Sequence, residues 1–333
     1  MKILVIGLGS MGQRRIRNLR AIGGVEIAGM DIRHDRRRYA KEQYSINTYE
    51  SVEESMLKFG PEVFIISTSP SHHMHYAFFG FEKGIHCFIE ASVTDADKIH
   101  ALSKMLKDKK IIMAPSCTMK YFPGPKKIKE LLDLKVIGQV KLVNYQTGQY
   151  LPDWHPWESI HDYYVSKRET GGAREIVPFE LTWLNPLFGN PTPKNCIIKK
   201  LSNFEADIDD YYQFSLDYDT GVVANFQIEV LSRPVATREL RIIGTEGQIA
   251  FSGDSMTVKY VNLKNPQWQT IPLVSGTVQK GYINPEEPYI AELNDFLVSV
   301  RGNNQEMFPN DLDSDYKVLN VLRELEGLAN GRE

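Results

Sequence analysis

The chain has 333 residues, 42% of them hydrophobic, and a formal net charge of -3. That length suits two domains with sizeable cores, and the near balance of charge gives no global electrostatic reason to expect a nucleic acid or an anionic membrane as partner. Cys87, Cys117 and Cys196 are too widely spaced for a disulfide framework or a Cys-x-x-Cys metal site. No apolar run reaches membrane-spanning length, and the N-terminus reads as a strand with no signal peptide, so a cytoplasmic protein is expected.

Residues 2–6 form an apolar strand that runs into Gly7, Gly9 and Gly12 in G-x-G-x-x-G spacing. The first glycine permits a tight strand-to-helix turn, the second lets the backbone approach a pyrophosphate, and the third allows close helix packing. Such a triplet alone is weak evidence, so its context must carry it. Helical spacing follows over residues 10–20, with Met11, Ile16 and Leu19 apolar; Gly23 and Gly24 stop it, and residues 25–30 form a second strand closed by Asp31. An acidic side chain about twenty residues beyond the glycines can accept hydrogen bonds from the ribose hydroxyls of NAD. The expected cofactor contacts here are Gly7, Gly9, Ser10, Met11, Gly12, Asp31, Ile32 and Arg33. Arg33, Arg36, Arg37 and Arg38 could meet the 2′-phosphate of NADP, but Asp31 would repel it, so NAD is favoured and NADP stays possible.

Strands at 62–68, 85–89 and 110–114 alternate with helical periodicity at 52–59, 73–83 and 95–107, the last opening after Thr94 as N-cap. This is the doubly wound pattern, in which ligands bind at the carboxyl edge of the sheet. Ser67, Thr68, Ser69, His73, Glu90 and Ala91 are delivered there and should meet the pyridine half of the cofactor. From residue 139 the pattern changes to alternating strands at 139–149, 196–201, 210–217, 222–231, 238–243, 248–252 and 255–261, read as an open antiparallel sheet. Amphipathic helices at 286–301 and 312–329 are expected to pack back across the molecule. The fold class is therefore α/β plus α+β: a Rossmann domain over 1–117 and an antiparallel-sheet substrate and oligomerisation domain over 118–333.

The order of these parts, with Gly7 to Gly12, Ser69-Pro-Ser-His-His73, Gly84-Ile-His-Cys-Phe-Ile-Glu90, Lys120-Tyr-Phe-Pro-Gly124, Ile137-Gly-Gln-Val140, Gly171-Gly-Ala173 and Leu187-Phe-Gly189, resembles the glucose-fructose oxidoreductase, inositol dehydrogenase and rhizopine-catabolism (Gfo/Idh/MocA) family along essentially its whole length. Tyr150-Leu-Pro-Asp-Trp-His-Pro-Trp157 resembles the branch found in bacterial surface-sugar and nonulosonate gene clusters. The resemblance implies an NAD(P)-dependent oxidoreductase acting on a sugar or nucleotide-linked amino sugar, and a homodimer or homotetramer paired through the sheet. It also exposes two departures. Family members carry Glu-Lys-Pro after a central strand and a catalytic histidine on the helix after the paired glycines; here Glu90 is followed by Ala91 and Ser92, and Phe179 and Thr182 stand at the usual histidine and aspartate positions. Alanine has no proton to move and phenylalanine only fills space.

Oxidising an alcohol still needs a base within hydrogen-bond reach. His155 lies in a loop rich in aromatics, and histidine is suited to proton transfer near neutrality. Glu180, Lys120 and Tyr163 are the other catalytic candidates. Tyr121, Trp154, Trp157 and Phe179 could line a sugar, and Arg168, Arg174 and Arg233 could clamp an anionic group bidentately. His72, His73 and His75 lack the acidic or cysteine partners of a metal site, and no metal is expected. Two other readings follow from the missing pair: a member that keeps its cofactor but works as a ligand-binding or partner protein, and NAD-assisted non-redox chemistry on a sugar.

Overall fold

The computed structural model describes residues 1–107, 109–155 and 158–330. In chain order the first elements are β1 (Lys2–Ile6), α1 (Ser10–Ile22), β2 (Glu26–Met30), α2 (His34–Tyr44), β3 (Asn47–Tyr49), α3 (Val52–Lys58), β4 (Val63–Ile66), α4 (His73–Lys83), β5 (His86–Ile89), α5 (Ala96–Met105) and β6 (Met113–Pro115). There follow α6 (Pro123–Asp133), β7 (Val140–Gly148), α7 (Ala173–Phe188), β8 (Pro191–Lys199), β9 (Tyr211–Tyr218), β10 (Val223–Glu229), β11 (Thr237–Gly244), β12 (Gly247–Ser252), β13 (Thr257–Asn262) and β14 (Asn265–Pro272). The chain closes with α8 (Glu287–Gly302) and α9 (Leu312–Asn330). Two compact units divide it: Met1–Thr118 with Glu286–Lys317, and Met119–Pro285 with the residues from Val318 onward.

In the first unit a six-stranded parallel sheet runs β3-β2-β1-β4-β5-β6, the doubly wound order. Ile3, Leu4, Val5 and Ile6 and their neighbours Val63, Phe64, Ile65 and Ile66 are all shut off from solvent, the continuous apolar run that a sheet covered on both faces requires. Register places Ile6 opposite both Met30 and Ile66, and Ile66 opposite Ile89. Gly7, Asp31, Ser67 and Glu90 therefore leave the sheet along one carboxyl edge. Helix α8 returns to this unit and lies against α1. Helix α5 is not capped by Thr94: its N-cap is Asp95, held in the left-handed region at φ 63°. That conformation lets a short side chain such as aspartate turn the chain tightly.

The second unit holds an eight-stranded sheet in the order β14-β13-β12-β11-β7-β10-β9-β8. It is mixed rather than wholly antiparallel, because β7 and β10 pair in parallel with Tyr145 opposite Phe226. Between them the chain makes α7 and a hairpin and so re-enters the sheet in its original direction, which only a long crossover allows. Phe214, Leu216, Tyr218, Phe226, Ile228 and Val230 are buried, with Phe214 and Phe226 stacked at 4.7 Å. The opposite face carries Asn144, Gln213 and Asn225, and Asn225 Nδ2 donates to Asn144 Oδ1 at 3.1 Å. Alternation thus sorts apolar residues inward along each strand. Sequence patterning misses β14 and the first half of β8. Both are edge strands and carry Pro191, Pro193, Pro266 and Pro272, which a central strand would not tolerate.

Candidate functional site

The Rossmann edge is shaped for close approach of a ligand backbone. Gly7 sits at φ +88°, and a Cβ there would lie 2.6 Å from the Ser67 carbonyl oxygen; a Cβ on Gly12 would come within 1.8 Å of the Gly7 carbonyl oxygen. No other residue fits either position. Gly9 caps α1, no side chain closes that helix end, and its first turn carries no acidic residue, so partial positive charge faces outward past Ser10 and Met11. Asp31 is buried; its Oδ2 accepts from the Leu8 N–H and its Oδ1 from the Arg33 N–H, both at 2.8 Å. Two backbone donors thus hold the carboxylate in place, and each oxygen keeps a lone pair for a ribose hydroxyl. Arg36 Nη1 lies 3.7 Å from Asp31 Oδ2, whereas Arg33 turns to Asp35 at 2.6 Å and Ile32 is exposed. A dinucleotide fits this cradle: glycines where a side chain would collide, an open helix end, and a fixed acid.

Farther along the edge, Glu90 is occupied by the protein itself. Its Oε1 accepts from Arg15 Nε at 2.6 Å and Ser67 Oγ at 3.2 Å, and its Oε2 from Arg15 Nη2 at 2.9 Å. Arg15 is wholly buried, sits 4.5 Å over the Phe88 ring, and reaches Glu292 Oε2 at 3.1 Å. Burial alone would favour loss of its proton, but Glu90 and Glu292 outweigh that and keep it charged. Glu292 also accepts from Ser116 Oγ, the Cys117 N–H and Thr118 Oγ1. Sequence reasoning missed Arg15, although one signal existed: it lies four positions from both Met11 and Leu19, on the apolar stripe of α1. Ala91 follows Glu90, and the next residue, Ser92, bonds Asp315, whose carboxyl burial pushes up to about 7.

Thr68 and Ser69 open the turn before α4, and Ser69 Oγ lies 3.0 Å from His72 Nδ1. His73 is buried with Nε2 3.0 Å from the Thr68 carbonyl, so that nitrogen carries the proton; burial lowers its pKa and keeps the ring neutral. Its Nδ1 is buried with no hydrogen-bond partner among the described residues. His75 packs edge-on against Tyr76 instead, and no group of three potential metal ligands occurs among the described residues.

In the second unit several candidates are already engaged. Glu180 is fully buried: Oε2 accepts from the Tyr145 hydroxyl at 2.6 Å and Trp183 Nε1 at 2.7 Å, and Oε1 from Arg238 at 2.6 Å. A carboxylate satisfied from three sides and closed to solvent ties helix α7 to the sheet. Thr182 Oγ1 donates back to the Pro178 carbonyl at 2.7 Å. Phe179 is half-buried on the same helix. Lys120 is half-buried, while Tyr121 is buried with Lys126 5.3 Å over its ring. The three arginines do not share one anion. Arg168 faces Asp207 at 2.9 Å and Asp209 at 2.5 Å, Arg174 faces Glu326 at 2.6 Å, and Arg233 lies 4.5 Å over the Tyr150 ring. Protein carboxylates thus face the first two charges.

The structure does bring His155 and Tyr163 together. Their rings stack at 4.6 Å with 20° between planes, and His155 Nδ1 lies 3.4 Å from Glu158 Oε2. Tyr164 crosses Tyr163 edge-on at 5.9 Å and donates its hydroxyl to Glu175 Oε1 at 2.8 Å. Burial raises the Glu175 carboxyl to about 7 against the lowering effect of that hydrogen bond. Burial also lifts Tyr163, and the Glu175 and Glu158 carboxylates lift it further. Trp154, half-buried, keeps its Nε1 inside without a hydrogen-bond partner among the described residues. Trp157 lies outside the described residues. Glu158, Tyr164 and Glu175 were not foreseen, since nothing in their local pattern separates them from ordinary surface residues.

A family model for the oxidoreductase family with NAD-binding Rossmann fold matches residues 1–115, and one for the GFO/IDH/MocA C-terminal domain matches 126–250. No curated protein sequence matches the chain. Among solved structures, an oxidoreductase from Agrobacterium radiobacter in complex with NAD+, L-tartaric acid and magnesium is similar at TM-score 0.85 and 14% identity, covering 100% of this chain and 97% of its own. A levoglucosan dehydrogenase with NADH and levoglucosan gives 0.85 and 15%, covering 100% and 98%. The UDP-N-acetylglucosamine 3-dehydrogenase GnnA from Acidithiobacillus ferrooxidans gives 0.75 and 16%, covering 99% and 98%.

Proposed function

The chain belongs to the Gfo/Idh/MocA oxidoreductase family, and from that premise we propose that it is an NAD-dependent enzyme oxidising a hydroxyl of a sugar or nucleotide-linked amino sugar in the cytoplasm, in the making of surface polysaccharide. The observation that carries this reading is the cradle at Gly7, Gly12 and Asp31, where collision-free glycines and a fixed carboxylate suit NAD and disfavour a 2′-phosphate. The sugar class is supported by the similar structures named for levoglucosan and UDP-N-acetylglucosamine. Gly7, Gly9, Ser10, Met11, Gly12 and Asp31 would hold the cofactor's adenosine and pyrophosphate, and the residues from Ser67 to His73, with Ala91, its other half. When bound, NAD supplies a hydride acceptor. The protein must then remove a proton, and since Ala91 and Phe179 offer none of the usual acid-base groups, His155 takes that role with Tyr163 stacked on it and Glu158 beside its ring. Trp154 and the neighbouring aromatics would present flat faces to a sugar ring. The protein works as a homodimer or homotetramer paired through the outer face of its second sheet.

Fluorescence titration with NADH and NADPH, followed by a screen of sugars and nucleotide sugars at the nicotinamide absorbance, tests the reading. NADH should bind more tightly than NADPH and at least one sugar should reduce NAD; binding of neither cofactor overturns it. His155→Ala should abolish turnover and leave NADH affinity intact, and unchanged activity would take His155 out of the reaction. The Ala91 and Phe179 replacements, with the Thr182 hydroxyl turned into its own helix, favour a second reading: a cofactor-retaining binding protein. NADH binding without turnover on any sugar would select it.

A further inference from the structure

The Tyr163 hydroxyl and Glu175 Oε2 are both buried without a hydrogen-bond partner among the described residues; the Tyr163 ring stacks on His155, and the Glu175 carboxylate acts on Tyr163. They come from different segments, the irregular stretch before the paired glycines and the first turn of α7. Leaving a buried polar group unmatched costs about 1–3 kcal/mol, a cost that a ligand supplying the missing partner would remove. The groups that hold them are matched on their other sides. Tyr164 fixes Glu175 through Oε1, and His155 fixes the face of the Tyr163 ring.

The charges around the pair narrow the ligand. Glu158 and Glu175 both act on Tyr163, and His155 stands against Glu158. Arg174, next to Glu175 in sequence, is turned to Glu326 and the Glu169 carbonyl, and Arg168 to Asp207 and Asp209. A carboxylate or phosphate would therefore meet carboxylates already in place, while Arg168 and Arg174 are engaged with other carboxylates. A phenol and a carboxyl that exchanges its proton near neutrality can each donate and accept, which suits an uncharged hydroxyl.

We infer that the Tyr163 hydroxyl and Glu175 Oε2 form a subsite for a neutral ring hydroxyl of the substrate, so that this cluster reads the glycosyl part and not any diphosphate attached to it. The inference rests on the sugar reading above and names the part of the substrate that these residues meet. A hydroxyl placed there accepts from the Tyr163 O–H and donates to Glu175 Oε2.

The test is equilibrium binding of free hexoses and N-acetylhexosamines to the full chain, with and without NADH, read by protein fluorescence between pH 6 and pH 8. Tyr163→Phe and Glu175→Ala should each weaken sugar binding about tenfold, within the range of one lost buried hydrogen bond. NADH affinity should not change in either variant. Glu175→Gln keeps an acceptor, so it should retain most of the sugar affinity that Glu175→Ala loses, and it should lose whatever change in affinity the natural protein shows as pH passes 7. Equal sugar affinity in all three variants overturns the subsite, and normal sugar turnover alongside it leaves the enzyme reading standing. Sugar binding that depends on both residues, with no nicotinamide reduction, supports the subsite and removes the redox reading. Recognition of uridine diphosphate alone, with no free sugar bound, overturns the assignment.

Discussion

The ion network around Arg15 and the aromatic cluster around Tyr163 both bury titratable groups, and they differ in how the carboxyl groups are matched. Arg15 is pinned by Glu90 and Glu292, and Glu292 accepts from four separate groups. In the cluster, the Trp154 Nε1, the Tyr163 hydroxyl and Glu175 Oε2 are left without partners among the described residues. In the network the Glu90 and Glu292 carboxylates are matched by the fold, although Arg15 Nη1 is buried without a hydrogen-bond partner among the described residues; in the cluster it is a phenol and a carboxyl oxygen that lack one. Location of polar atoms therefore says less than whether they are already spoken for.

The strongest way to break this contrast is Arg15→Ala. It leaves Glu90 and Glu292 buried without their cation, and urea unfolding should register a loss of about 3–5 kcal/mol. A loss within the scatter of surface substitutions would mean that the network is not structural. Gly12→Ala comes next. Its methyl would press on the Gly7 carbonyl, and overpacking of that kind costs about 1–3 kcal/mol, visible as a lower melting temperature together with weakened NADH binding. Unchanged NADH affinity would separate the glycine from the cofactor. The smallest effect sharpens the other side of the contrast. Glu175 and Asp315 both hold their protons up to about 7 in the folded chain, above the range of an unfolded carboxyl. Between about pH 4 and 7 the folded state binds more protons than the unfolded one, so these two groups make stability fall as pH rises through that window and level off above it. Unfolding measured across the window should show a shallower fall in Glu175→Gln and in Asp315→Asn. A slope unaltered by both would contradict the raised values.

Much of the fold was legible because its signals are local. Apolar runs of a few residues, the glycine triplet, and Asp31 at a strand end need only near neighbours to be recognised, and the strands expected at 2–6, 25–30, 62–68 and 85–89 are found at Lys2–Ile6, Glu26–Met30, Val63–Ile66 and His86–Ile89. The parallel pairing of β7 with β10 was not legible, since strand direction depends on how the chain returns and not on alternation within either strand. Prolines hid β14 for a related reason: an edge strand tolerates them, but a strand becomes an edge only once its sheet is assembled. At the site, His155 and Tyr163 were marked by residue type and surroundings, whereas Glu175 and Glu158 looked like any exposed acids until folding enclosed them.

By itself, then, the sequence determined the alternation of elements, the dinucleotide turn and the family, all of which follow from periodicities and motifs spanning a few tens of residues. Only the tertiary structure decided which charges are satisfied. Arg14 meets Glu286 across 272 positions of chain, and Glu292 meets Cys117 across 175. Electrostatic pairing depends on distance in space and on exclusion of water, and neither is encoded in the spacing of residues along the chain.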